Sequence, residues 1–471
     1  MCGIVGFVGD KPAAPILLEG LARLEYRGYD SAGIAIIENN KIILKKSEGQ
    51  LATLSALIDK GEKYKSTIGI GHTRWATHGK PSDENAHPHL SENGKFAIVH
   101  NGIIENYSAL KEQLIADGYN FKSETDSEVV AALLQKHYNG DTFETIVKVL
   151  NIIEGSYALG IINNDYPDEF YAVRKASPLI VGISDNNNMI ASDIPAILPI
   201  TRKIYYLNDN EIVKLTRNCV EIFDTDKNKI EREVTEIEWD VSAAEKGGYD
   251  HFMIKEIMEQ PKAIRDTIEP RIKDGKIYLE NFELSKEFLD NLDSIHIVAC
   301  GSAYHVGVVG KYIIEELVRK PVFCEIASEF RYSNPIVSEK SLVIIISQSG
   351  ETADTLEALK IAKRKGAKIL SIVNVVGSSI ANISDNVLYT WAGPEISVAT
   401  TKAYSTQLSL MYLVALYMAQ AIGTVTDDFV SEMLAEIETI PEKVEEILKL
   451  APKIKEMTKR YAYLDHAYFI G

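Results

Sequence analysis

The sequence predicts two fold classes in series, an α+β half as far as residue 240 and an α/β half from residue 285. Three observations predict this. The first half mixes short apolar strands with a few helices and carries a hairpin signal, which argues for antiparallel pairing. The second half alternates continuous apolar strands with helices, the grammar of a parallel sheet covered on both faces. Between them, Trp239 to His251 turns polar and contains Gly247-Gly248, a linker signal. At ~150 residues per domain, the 471 residues allow about three domains. We divide them as 2–240, a linker and helical segment at 241–284, a parallel-sheet domain at 285–430, and connecting helices ending in a strand at 431–471.

The elements follow in order. Ile4 to Val8 opens as a strand, and Leu17, Leu18, Leu21 and Leu24 give Pro15 to Leu24 helical spacing. Ala32 to Ile37 and Lys41 to Lys45 read as a hairpin turning at Asn39 and Asn40. Phe96 to His100, Ala158 to Ile162 and Phe170 to Arg174 are apolar strands, and helices fit Tyr107 to Asp117 and Ser127 to Tyr138. One helix is expected over Phe252 to Thr267. Strands then fall at Ser294 to Cys300, Val322 to Ile326, Leu342 to Ile346 and Lys368 to Val373, with helices at Gly301 to Val318 and Thr352 to Lys365. Leu464 to Ile470 repeats the pattern of Leu292 to Val298, an apolar strand stopped by glycine. Either two short strands are alike by chance, or this one opens a second copy of the parallel-sheet domain that continues beyond Gly471.

Composition narrows the function. With 46% hydrophobic and 25% charged residues the chain is an ordinary globular one. Its net charge of -17 argues against a nucleic-acid surface. The longest apolar run, Leu410 to Ala419, is too short to span a bilayer and suits a buried helix or a subunit contact. The N-terminus has no basic stretch followed by a long apolar one, so it is not a signal peptide. Four scattered cysteines, Cys2, Cys219, Cys300 and Cys324, show no CxxC pair. That argues against a zinc site or a disulfide framework and suits a reducing cytosol.

Cys2 directly follows the start methionine. Once Met1 is removed, its α-amino group, with an ordinary pKa near ~8, can serve as base for its own thiol. Alone, Cys2 reads better as a small buried hydrophobe. The surrounding motifs tip the balance. His72-Thr73-Arg74-Trp75-Ala76-Thr77-His78-Gly79 begins where a strand ends, and Arg74 offers a planar fork of donors suited to a carboxylate. Val99-His100-Asn101-Gly102 puts a side-chain amide and a glycine N–H at another strand end, a reasonable oxyanion hole. Asp126 lies just before a helix, where a carboxylate is also a common cap. The neighbouring histidines, individually, suit the core or a loop.

In the second half a strand runs straight into Ser347-Gln348-Ser349-Gly350-Glu351-Thr352. This hydroxyl-rich turn before a helix presents N–H groups and hydroxyls to an anion, and phosphate is the natural guest. One serine would suffice as a cap, so Ser347, Ser349 and Thr352 together favour binding.

MCGIVG, LEYRGYDSAG, HTRWATHG, HNGIIEN and SETDSE resemble the glutaminase domain of class II (N-terminal nucleophile) glutamine amidotransferases. SQSGETADT and EISVATTKA resemble the sugar isomerase domain of the branch that aminates fructose 6-phosphate. The resemblance implies a four-layer N-terminal-nucleophile hydrolase sandwich followed by an α/β sugar isomerase (SIS) domain. It implies glutamine and fructose 6-phosphate as substrates, glucosamine 6-phosphate and glutamate as products, and the first step of hexosamine formation. Cys2 becomes the nucleophile, and Asn101 with Gly102 the oxyanion hole. Arg74 and Thr77 hold the glutamine α-carboxylate with His78 beside them, and Asp126 pairs with the α-amino group. Arg27, Gly28 and Tyr29 form a loop near the nucleophile, and Trp75 gates ammonia. Ser347, Gln348, Ser349 and Thr352 take the phosphate, and Ser302 and Val398 the rest of the sugar. The first sugar loop has Ala303 where the family often has a hydroxyl, so no role is given to it. The acid/base glutamate and the lysine of the sugar chemistry would lie beyond Gly471.

The resemblance also implies a homodimer in the cytoplasm, with the apolar helix near Leu413 a candidate for the subunit contact. Neither metal nor cofactor is called for by acyl transfer. Two other readings stand beside this one. Another class II amidotransferase, of the phosphoribosyl or asparagine-forming type, would lack the serine-rich loop. A sugar-phosphate sensor would have no use for Cys2.

Overall fold

The computed structural model describes residues 2–76, 79–237, 246–280, 282, 284–464 and 466–468, and for Tyr26 the backbone alone. The chain forms two compact units, Met1–Ala244 and Glu245–Gly471.

The first unit contains an eight-stranded and a seven-stranded sheet. Strand Gly3–Gly9 sits inside the larger sheet, pairing antiparallel with Ile68–Arg74 on one side and Asn187–Ala191 on the other. Alternation along it sorts its side chains. Val5 and Phe7 join the core beneath helix Ala13–Ala22. Ile4 and Val8 face the second sheet, where they meet Ala97, Val99, Ala158 and Phe170. Gly6 is required there, because a Cβ would stand 2.3 Å from the Phe170 ring. In the second sheet, Phe96 and Ile98 of strand Phe96–Ile104 face away, onto helices Tyr107–Ala116, Glu128–His137 and Thr142–Leu150. The layers run helix, sheet, sheet, helix, the four-layer arrangement expected.

The expected hairpin is present as Ser31–Glu38 paired with Lys41–Glu48. Strands Ile180–Gly182 and Lys203–Tyr206 also belong to the larger sheet, although they carry little periodic signal. Residues 246–251 form turns, and 238–245 lie outside the described residues.

The second unit is built on a parallel sheet in the order Val322–Ile326, Ser294–Ala299, Ser341–Ser347, Lys368–Val373, Asn386–Tyr389. Its two faces bury different residues. Ile295, Ile297, Ile344 and Ile372 pack on helices Ser302–Val318 and Lys402–Ile422. Val343, Ile345, Ile369 and Val373 pack on helix Ala353–Arg364. Leu413 lies wholly within the first of these cores, so the apolar run is a buried helix.

The helix expected over 252–267 is two, Phe252–Met258 and Gln260–Ile268, because Pro261 starts a new one. After the core come helices Asp427–Glu438, Ile440–Leu448 and Ala451–Thr458. Of the strand expected from Leu464, residues 464 and 466–468 have no regular structure, and Asp465 and 469–471 lie outside the described residues. No helix among the described residues is long and apolar enough to cross a membrane.

Candidate functional site

Register assembles the first group of residues. Gly3 pairs with Thr73, and Ser31 with Arg74, which puts Cys2 beside the end of strand Ile68–Arg74. There the Trp75 N–H donates to Cys2 Sγ at 3.2 Å, and the thiol lies 3.6 Å from the Trp75 carbonyl. From the second sheet, Asn101 Nδ2 donates to the Cys2 carbonyl at 2.9 Å. Gly102 follows at φ +131°, where a Cβ would stand 2.1 Å from the Ser156 carbonyl oxygen. Glycine alone fits there.

Arg74 is buried, and Nη2 donates to Gly79 O at 3.1 Å. Asp126 is buried too. It does not cap the helix that follows. Its Oδ2 accepts from the Ile104 N–H at 2.8 Å, tying it to the end of the strand that carries Asn101 and Gly102. The Tyr29 and Trp75 rings meet edge to face at 5.4 Å. Arg27 is ion-paired with Asp193. Thr77 and His78 lie outside the described residues.

Electrostatics decide the protonation states. Burial pushes the Cys2 thiol up, while the Trp75 hydrogen bond and the charges of Arg74 and Arg27 pull it partly back. Behind it lie four buried imidazoles. His72 stacks on His87 at 4.2 Å, and His87 meets His89 edge to face at 4.5 Å. Burial lowers His72 to about 3 and pushes His87, His89 and His100 down as well. They form a neutral wall. Among the described residues no group of three or more His, Cys, Asp or Glu side chains is placed to hold a metal ion. His72, which sequence reasoning passed over, reaches Asn101 Oδ1 at 2.9 Å.

The second group lies in the other unit. Strand Ser294–Ala299 has Val322–Ile326 on one side and Ser341–Ser347 on the other. The strand order therefore reverses beside it, and ligands of open parallel sheets bind outside the C-terminal strand ends at such a point. Those two ends carry Ser302 and the run from Ser347 to Thr352. Ser347 Oγ accepts from the Gly350 N–H at 3.0 Å and lies 3.2 Å from Thr352 Oγ1. Ser349 Oγ accepts from the Glu351 N–H at 3.2 Å. The Thr352 side chain makes no capping bond to helix Ala353–Arg364. Gly350 has φ +66°, and a Cβ would stand 2.0 Å from Ser378 Oγ. Gln348 is half-buried, Ser302 exposed, and Val398 69% exposed.

Sequence reasoning also missed what holds the Val398 loop. Buried Glu256 accepts from the N–H groups of Ile396, at 2.6 Å, and Ser397, at 3.0 Å. Glu395 accepts from the Thr401 and Ala403 N–H groups at 2.9 and 3.1 Å. A carboxylate far away in the chain gives no local signal.

The chain matches the family described as a glutamine amidotransferase domain over residues 72–199, and the SIS domain family over 288–417. It is 57% identical, over its whole length and 78% of the relative's, to the glutamine–fructose-6-phosphate aminotransferase [isomerizing] of Caldanaerobacter subterraneus subsp. tengcongensis. The enzyme of the same name from Clostridium tetani is 54% identical over the same shares. Among solved structures, the C-terminal domain of glucosamine-fructose-6-phosphate aminotransferase from Francisella tularensis is 40% identical, with a TM-score of 0.45, over 46% of this chain and 61% of that one. With an identity of this size across the full chain, the protein belongs to the glutamine–fructose-6-phosphate aminotransferase (isomerizing) family.

Proposed function

We propose that this chain takes ammonia from glutamine at Cys2 and delivers it to fructose 6-phosphate, which is aminated and isomerised to glucosamine 6-phosphate. The observation that carries the first half is the Cys2 thiol held by Trp75 with the Asn101 amide beside it. With Met1 removed, the α-amino group takes the thiol proton. The sulfur then attacks the glutamine side-chain carbonyl. Asn101 Nδ2 and the Gly102 N–H stabilise the oxyanion, as preorganised donors do. The C–N bond breaks, ammonia leaves with the proton held on the α-amine, and water hydrolyses the γ-glutamyl thioester to glutamate.

Arg74 holds the substrate α-carboxylate, assisted by Thr77 and His78, and Asp126 holds its α-ammonium. The Tyr29–Trp75 ring pair and Arg27 close the site, and Trp75 gates ammonia. In the second unit the Ser347–Thr352 turn grips the phosphate, with Ser302 and Val398 along the sugar. The strand reversal beside Ser302 supports this placement. A cytoplasmic location and a homodimer belong to the same reading, the first supported by the scattered, unpaired cysteines.

The test is ammonia release from glutamine by the purified chain against Cys2→Ala. The variant is expected to fall to the uncatalysed rate, and equal release by both would end the proposal.

A further inference from the structure

An asparagine serves an oxyanion only if its NH₂ end faces it. The two ends of the amide are nearly the same size, so shape alone does not choose between them. At Asn101 the choice is made from two sides, by the Cys2 carbonyl that accepts from Nδ2 and by His72 at the other end. The ring Nε2 lies 2.9 Å from Asn101 Oδ1 and 3.2 Å from the backbone carbonyl of His100. A carbonyl oxygen only accepts, so the nitrogen facing it carries the proton. That same N–H points at Asn101, and the end it meets must be the acceptor, Oδ1. Nδ2 is thereby turned towards Cys2, where it donates to the backbone carbonyl at 2.9 Å.

His72 is itself fixed. It is 1% exposed and stacked on His87 with 17° between the ring planes. Its Nδ1 has no hydrogen-bond partner among the described residues. Burial keeps the ring neutral. It is therefore a single donor with one orientation.

We infer that His72 is a positioning residue for glutamine hydrolysis: its buried Nε2–H holds the Asn101 amide with the NH₂ end towards Cys2. The inference rests on the proposed role of Asn101. A turned-over amide would set lone pairs against the forming oxyanion.

The experiment measures kcat and KM for glutamine hydrolysis by the full chain as wild type and as Asn101→Ala, His72→Phe, His72→Leu, His72→Gln and His72→Phe with Asn101→Ala. Alkylation of Cys2 by iodoacetamide, a displacement that develops no oxyanion, is followed in parallel. Losing one oxyanion donor costs about 10²–10³ in kcat. A loss of that order is expected in Asn101→Ala and in whichever apolar His72 variant folds, with KM and the alkylation rate little changed. His72→Gln, which returns an N–H donor, is expected to regain most of the rate. The double variant is expected to be no worse than Asn101→Ala.

Wild-type kcat in the apolar variants beside a crippled Asn101→Ala would overturn the inference and leave the proposed function standing. So would alkylation falling in step with hydrolysis, or no rescue by glutamine at position 72. Full activity in Asn101→Ala would instead remove the oxyanion role on which the inference rests.

Discussion

One methyl group at position 102 is enough to disturb the backbone beside Asn101. Gly102 holds φ +131°, and a Cβ there would meet the Ser156 carbonyl oxygen at 2.1 Å. Backbone of a neighbouring strand cannot give way cheaply, so the Gly102 N–H must move. Gly102→Ala is expected to lower kcat for glutamine hydrolysis by at least the ~10² of a lost oxyanion donor, and steady-state kinetics on the folded variant checks this. A variant within twofold of wild type would argue that this N–H faces no oxyanion. Much at this scale was legible. Arg74, Asn101 and Gly102 are polar or flexible residues at the ends of apolar strands, where chemistry is displayed. His72 was not legible, because both acceptors of its proton sit on strand Phe96–Ile104, which approaches only through the packing of two sheets. Asp126 was half legible. Its place before a helix suggested a cap, yet its bond goes to Ile104 across the chain.

Elements with a clear apolar or hairpin signal were read correctly, and some short strands without one were not. Ile344 and its neighbours announce a buried strand. Ile180–Gly182 and Lys203–Tyr206 become strands only because the larger sheet supplies their partners. The clamp on the Val398 loop belongs to this scale. Helix Phe252–Met258 presents Glu256 to two loop N–H groups, and helix Gln260–Ile268 follows it closely. Hydrogen bonds to a charged group are worth about 1.5–3 kcal/mol. Glu256→Ala is expected to loosen the loop and weaken fructose 6-phosphate binding roughly tenfold, the equivalent of ~1.4 kcal/mol. Glu256→Gln is expected to bind nearly as wild type, since Oε1 takes both of the shorter bonds. Calorimetric titration reads both, with Ser347→Ala plus Ser349→Ala as the variant expected to lose binding. Wild-type affinity in Glu256→Ala would show that the loop needs no clamp.

At the scale of the whole molecule, four buried imidazoles make the first unit sensitive to acid. His72, His87, His89 and His100 are all held below the ordinary value by burial. For a base the sign is clear. Above the unfolded pKa, near ~6.5, neither state is protonated and the full stability is present. Below it the unfolded chain takes up protons that the native imidazoles refuse, and stability is lost. For His72 the loss continues down to about 3. Each such imidazole removes ~1.4 kcal/mol per pH unit across its window. Urea midpoints are therefore expected to drop steeply between pH 7 and 5.5. His87→Phe, which keeps a ring in the stack but cannot titrate, is expected to flatten that drop. An unchanged slope in the variant would contradict this. Sequence reasoning could find the histidines but not their common burial, which exists only once strands from both sheets have met.

The position of strand Gly3–Gly9 has a practical consequence for anyone handling the protein. It begins one residue after Cys2 and is buried throughout, hydrogen-bonded on both edges. No slack separates Cys2 from the core. On the proposed mechanism, a purification tag joined ahead of Cys2 would acylate the amine assigned as base. Affinity handles belong elsewhere on the chain, and on that mechanism a preparation carrying one at the front is expected to release no ammonia from glutamine.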